Sequence, residues 1–237
     1  MNPRLHRLFC DKEIISTIIT SLTFVAFFIG AFLSGIVSDR FGRVKTTLVA
    51  TLTSSLLSFL LRLMPTWWAF MIVWLPMQGS FHIAYIAVSV YIVEVIGPSK
   101  RHYGQIASIG FGIGYMLSSP LAYAFPDWRN LSSAGGVMGI VTCGIILTLP
   151  SSPRWLYSRQ CHDQGKKMLK HFAVKTKSTL PDNFENDIVS SGDETAQNEK
   201  VMTLLDVVRC PPLRRIAFIM GYVFLAVTIA YYGHCVF

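Results

Sequence analysis

Six apolar runs dominate the chain, at about residues 14–37, 46–64, 67–93, 105–125, 131–149 and 216–236. Each approaches or exceeds the roughly 20 residues that a helix needs to cross a hydrocarbon core of about 30 Å. A bilayer leaves such runs little choice. Backbone groups without partners are too costly in hydrocarbon, so a spanning segment is a helix or part of a closed barrel, and runs of this length exceed a barrel strand. The pattern predicts an all-α polytopic membrane protein with about six transmembrane helices. The charge content agrees: 14% of residues are charged, against about 25% in a soluble domain, too few to wet a surface. The first run is not a signal peptide, being too long and lacking a small-residue cleavage site.

The formal net charge of +8 could suggest nucleic acid, but the bases do not cluster with aromatics on a polar face. They lie between the apolar runs, and unevenly. One set of alternate loops carries sixteen Lys and Arg residues and the other set, with the N-terminal tail, carries five. By the positive-inside bias the first set is cytosolic and both chain ends lie outside. The one long polar segment, residues 151–215, contains a lysine-rich helical part at 164–176 and an acidic part at 182–199. It is either a solvated linker with one amphipathic helix or a surface for anionic lipid or the cytosolic face. The five cysteines are scattered without metal-ligand spacing and are read as packing residues. No metal or cofactor is expected. Ser-His-Asp and Cys-His constellations are also missing from the sequence, which argues against an enzyme.

The stretch GIVSDRFGRVK, Gly35 to Lys45, puts an acid and three bases between two spans. At a cytosolic turn, Asp39 can accept hydrogen bonds from the first N–H groups of another helix and meet the positive end of its dipole. Arg40, Arg43 and Lys45 can snorkel to headgroups or pair with acids on neighbouring helices. Gly42 permits the tight reversal. Upstream, Ala26, Gly30 and Ser34 repeat every fourth residue, a stripe that lets another helix approach closely. Gly110 and Gly114, which superficially suggest a phosphate loop, lie within a span and are expected to form a similar packing face. Asn130-Leu131-Ser132 fits a glycosylation acceptor but lies too close to the membrane.

This turn resembles the signature loop between the second and third helices of the major facilitator superfamily, Gly-x-x-x-Asp-Arg-x-Gly-Arg. Further stretches resemble the organic cation/anion/zwitterion transporter family within it. They are Phe9-Cys10-Asp11-Lys12, the run from Glu94 to Arg101, Gly114-Tyr115-Met116-Leu117, the run from Leu121 to Arg129, Ser152-Pro153-Arg154-Trp155-Leu156, the run from Leu204 to Arg214, and Ala230-Tyr231-Tyr232-Gly233. The resemblance implies a partial major facilitator fold running from helix two into helix seven. Residues 1–150 would hold helices two to six, residues 151–215 a cytosolic loop, and residues 216–237 the first helix of the C-terminal half. Three positions depart from the family pattern: Ser151 stands where an acid is usual, Trp74 where an arginine is usual, and Asn130 where a second tryptophan is usual.

The resemblance also implies roles. Gly35, Asp39, Arg40, Gly42, Arg43, Glu94, Arg101 and Arg154 would belong to a cytosolic gate of salt bridges that closes when the cavity faces outward. An ionisable group such as Glu94 at the edge of a span is costly unless paired, which agrees; a passive helix end is the other reading. Tyr85, Tyr231 and Tyr232 align with cavity aromatics, suited to organic cations by cation–π attraction; packing against lipid or helices is the other reading. His82, one turn from Tyr85, is either a packed, hydrogen-bonded group or part of the same substrate site. The expected function is transport of small organic ions, organic cations foremost, by alternating access within a longer transporter of the plasma membrane. Other possibilities are a truncated, non-transporting product, retained inside the cell or bound to full-length transporter or its remaining helices, and a carrier of sugars or other neutral solutes. The expected partners are a small organic ion and the lipid bilayer, not nucleic acid.

Overall fold

The computed structural model describes residues 13–96, 106–159, 162–176, 214–216, 218–223, 225–226 and 229. The chain divides into two units, Met1–Leu180 and Pro181–Phe237. In the second unit the described residues are helical and exposed, in the region of the sixth apolar run. Tyr231 and Tyr232 lie outside the described residues.

The first unit contains α1 (Glu13–Phe41), α2 (Arg43–Leu61), α3 (Trp67–Ile96), α4 (Ile106–Ala124), α5 (Trp128–Ile146), α6 (Pro153–Ser158) and α7 (His162–Thr176). The first five coincide with the first five apolar runs, and α7 with the lysine-rich part of the long polar segment. Among the described residues, three helices are long and apolar enough to cross a membrane: Thr17–Phe41, Arg43–Leu61 and Trp67–Ile96. Helices α4 and α5 have the same 19-residue length as α2. The hydropathy of α5 is diluted by Trp128, Arg129 and Asn130 in its first turn, because the helix starts at its Asp127 cap and not at the apolar run. That cap accepts a hydrogen bond from the Arg129 amide at 3.2 Å.

Helix α3 packs against both α1 and α2, and α2 also packs against α5. Where α1 meets α3 the small-residue stripe makes the contact. A Cβ on Gly30 would stand 2.6 Å from the Gly79 carbonyl oxygen, and one on Gly79 would stand 3.5 Å from the Ala26 oxygen. Ser34 is fully buried and its hydroxyl donates to the Ile83 carbonyl at 3.1 Å. In lipid, apolar area drives little helix association, so close backbone approach and such hydrogen bonds carry it. The stripe extends one step further, to the buried Ser38.

Helices α2 and α5 use the same device. The Ser58 hydroxyl donates to the Ser132 carbonyl at 2.6 Å, and the Ser132 hydroxyl returns a bond to the Ser58 carbonyl at 2.8 Å. Gly136 lies against the Phe59 ring and Gly139 against Ser55. Among the described residues nothing packs on the glycine face expected on α4: a Cβ on Gly110, Gly112 or Gly114 would meet none of them within 4 Å. Small-residue spacing marks a face that can be approached closely, and the approaching helix has to be supplied by the fold.

At one end of the bundle Leu61, Val73 and Met77 form a buried cluster, with Phe70, Trp74 and Trp128 packed on it. Trp74, at the position where the family pattern has arginine, stacks on Phe70 at 5.3 Å and donates from Nε1 to the Thr23 hydroxyl on α1 at 3.0 Å. Outward faces are apolar: Phe28 and Ile72 are each 74% exposed. A surface of that kind suits lipid and not water.

Candidate functional site

The α1–α2 junction is a single-residue reversal. Gly42 has φ 94°, a backbone region that nearly excludes other residues. Its amide donates to the Ser38 carbonyl at 3.0 Å and its carbonyl accepts from the Thr46 amide at 3.1 Å, so α2 begins as α1 ends.

That reversal aims Arg43 back across the ends of α1 and α3. Its Nη1 lies 2.7 Å from Asp39 Oδ1 and donates to the Ser38 carbonyl at 2.8 Å. On the other side, Nε and Nη2 reach Glu94 Oε1 at 3.1 and 3.0 Å. The remaining Glu94 oxygen accepts from the Ser152 hydroxyl at 2.7 Å. The Arg43 and Glu94 side chains are only 13% and 10% exposed, whereas that of Asp39 is 71% exposed. Two unlike bonds therefore meet at one guanidinium: an inner pair out of water, and an outer pair that is wet and screened. An open depression lined by Arg43, Ser89, Val90, Val93 and Glu94 lies beside the pair.

Asp39 differs from its expected part. Its carboxylate pairs with the arginine four residues on, and its carbonyl oxygen makes the long-range bonds, accepting from Trp155 Nε1 and Arg159 Nη2 at 3.0 Å each.

The structure brings Asp39, Arg43 and Glu94 together around the Gly42 turn. Arg40 stands apart, exposed, with its guanidinium 5.6 Å from the centre of the Phe41 ring. Gly35 is exposed, and a Cβ there would meet nothing within 4 Å. Arg101 and the Arg154 side chain lie outside the described residues. Sequence reasoning quoted Ser152 and Trp155 within a family stretch but gave them no role, and it missed Arg159. The Ser-Pro start of α6, with Ser152 as cap and Pro153 in the first turn, is a helix signal that could have been used. Nothing local ties Arg159 to the end of α1.

A second set lies midway along α1 and α3. The rings of Phe27 and His82 stack at 4.8 Å and an interplanar angle of 18°. His82 and Tyr85 lie 6.0 Å apart, and Phe24 meets Phe27 edge-on at 6.0 Å. Tyr85 is 42% exposed.

Helices paired through small residues, with a charged reversal at one end, define an all-α polytopic membrane protein. The sequence profile of the Major Facilitator Superfamily matches residues 11–235, and the chain belongs to that family. It is 30% identical over 228 residues to solute carrier family 22 member 2 of Rattus norvegicus, covering 95% of this chain and 40% of that protein. It is 26% identical over 237 residues to the organic cation transporter protein of Drosophila melanogaster, covering 95% of this chain and 42% of that one. In fold it is similar to the inward-open xylose transporter XylE from E. coli, with TM-score 0.61, 17% identity, and 79% and 47% of the two chains covered. The chain thus spans about 40% of the length of the curated relatives it matches.

Proposed function

We propose that this chain supplies helices of a carrier that moves small organic ions, organic cations foremost, across the plasma membrane by alternating access within a longer transporter. The observation that carries this reading is the Arg43–Glu94 pair, buried between the ends of α2 and α3 beside a one-residue turn. A buried pair at a helix end is a two-state element: intact, it holds α2 and α3 together on the cytosolic side, and broken, it lets that side open. Breaking it exposes both charges to water, which offsets part of the lost attraction. The pair can therefore switch without a large net cost. Arg40, Arg101 and Arg154 are proposed to take part as further cations of the same gate, and Gly35 as a small residue on the helix leading into it.

The proposed substrate site is the aromatic set around His82 and Tyr85; Tyr231 and Tyr232 are proposed, from the family resemblance, as further substrate-binding aromatics. Aromatic faces attract a desolvated organic cation by an amount of about 2 kcal/mol or more per favourable contact. The name of the Drosophila relative, organic cation transporter protein, supports a cationic substrate. The test is a chimera in which this chain replaces the matching segment of the rat relative. Uptake of a panel of organic cations, anions and zwitterions is measured at matched surface abundance. Saturable cation uptake that falls when Glu94 is replaced by Gln is the expected result. Normal surface abundance without saturable uptake of any member of the panel overturns the proposal.

A further inference from the structure

A helix leaves its last four carbonyl groups without intrahelical partners, and the dipole makes that end slightly negative. At the end of α1 two of these carbonyls are taken by α6. Arg159 Nη2 donates to the Asp39 oxygen at 3.0 Å and to the Arg40 oxygen at 2.9 Å, and Trp155 Nε1 adds a second bond to the Asp39 oxygen at 3.0 Å. The indole lies directly on the turn. A Cβ added to Gly42 would stand 3.3 Å from three of its ring atoms.

The start of α6 is fastened to the other side. The Ser152 hydroxyl holds Glu94 at 2.7 Å, and the Tyr91 hydroxyl of α3 donates to the Pro150 carbonyl at 2.8 Å. This six-residue helix therefore brackets the gate, with its first turn on α3 and its last turn on α1. Arg43 sits between the two attachments, and two of its acceptors, the Ser38 carbonyl and Asp39 Oδ1, belong to the turn that Arg159 and Trp155 grip.

We propose that Arg159 and Trp155 are positioning residues for Arg43. By clamping the last carbonyls of α1 they fix the direction in which Ser38 and Asp39 receive the guanidinium, and so aim its other edge at Glu94. The grip uses backbone oxygens and not the gate's carboxylates, so it persists when the Arg43–Glu94 pair opens, and α6 stays with α1. The effect on transport rests on the gate reading above; the clamp itself does not.

Two measurements separate these parts. In the purified 237-residue chain, hydrogen exchange over residues 38–46 should quicken about tenfold in Arg159→Ala, with exchange over residues 50–61 unchanged. Arg159→Lys, which keeps one donor within reach, should recover much of the protection, and Trp155→Phe should show a smaller rise. In the chimera, Arg159→Ala should lower the maximal uptake rate several-fold with KM within about twofold. In an Arg43→Gln background it should cause no further loss, because contacts acting through one group are not additive. Unchanged exchange over residues 38–46 overturns the clamp. Additive losses in the double variant, or a raised KM at full rate, overturn the positioning role. If the unsubstituted chimera transports nothing, the functional reading fails while the exchange result still decides the clamp.

Discussion

Replacing Gly30 by alanine adds one methyl group at the closest backbone approach between α1 and α3. That methyl carbon would lie 2.6 Å from the Gly79 oxygen and 3.3 Å from its carbonyl carbon. Both are main-chain atoms of a helix, which cannot swing aside as a side chain can, so the helices must part. Overpacking of this kind costs about 1–3 kcal/mol. Parting the helices also stretches the Ser34 bond to Ile83, now 3.1 Å; interhelical side-chain bonds in membranes average about 0.6 kcal/mol. The total, about 2–4 kcal/mol, should lower the apparent Tm of the purified chain in detergent by on the order of 5–10 °C. Gly35, five residues along the same helix, provides the control. Nothing lies within 4 Å of its Cβ position, and relief of glycine's backbone entropy should make Gly35→Ala neutral or stabilising by about 0.5–1 kcal/mol. Equal melting temperatures for the two variants would refute the argument, since helix propensity alone favours alanine at both sites.

The gate residues should not respond alike. Arg43→Gln or Glu94→Gln leaves a nearly buried charge without its partner and should destabilise by about 3–5 kcal/mol. Asp39→Asn, at a side chain 71% exposed, should cost about 0–1 kcal/mol; thermal melts of the three variants and of the Arg43→Gln/Glu94→Gln double variant, expected to recover most of the loss, check the ordering. Gly42→Ala forces a side chain onto φ 94° and against Trp155, and should cost about 1–3 kcal/mol while also quickening exchange over residues 38–46. Removing the Ser152 hydroxyl takes away both the α6 cap and a bond to Glu94; Ser152→Ala should cost about 1–2 kcal/mol, visible as a lower Tm and as earlier proteolysis after residue 159. Finally, the loop asymmetry in Lys and Arg predicts that residues 39–45 face the cytosol. A cysteine at position 45 should be labelled by an impermeant thiol reagent only after the cells are opened, and labelling of intact cells reverses the orientation.

How much could be read in advance depended on the range of the forces involved. Span positions were legible because a bilayer imposes the same demand on every residue in a run, so composition alone locates α1, α2 and α3. Their ends were less so: α2 starts at Arg43 and not at Thr46 because the charged residues after Gly42 are helical, with the Arg43 side chain turned back to Glu94. The stripe Ala26, Gly30, Ser34 was visible as a period of four and does mark the α1–α3 contact. The glycines of α4 show the same signal and pack against nothing described. A local pattern states that close approach is possible, whereas only the arrangement of helices supplies the neighbour.

The charged turn divides in the same way. Sequence alone showed that Gly42 permits a reversal of the chain and that Glu94 is costly unless paired, because glycine's missing Cβ and the cost of a buried charge are properties of single residues. Which cation it finds was decided by the tertiary structure, which brings together residues 51 positions apart in the chain and leaves Arg40 exposed beside Phe41. Ser152, Trp155 and Arg159 gain their importance only there. Their bonds join α6 and its flanking residues to helix ends more than 50 residues away in sequence, three of them to main-chain oxygens, which every residue carries and no sequence pattern can mark.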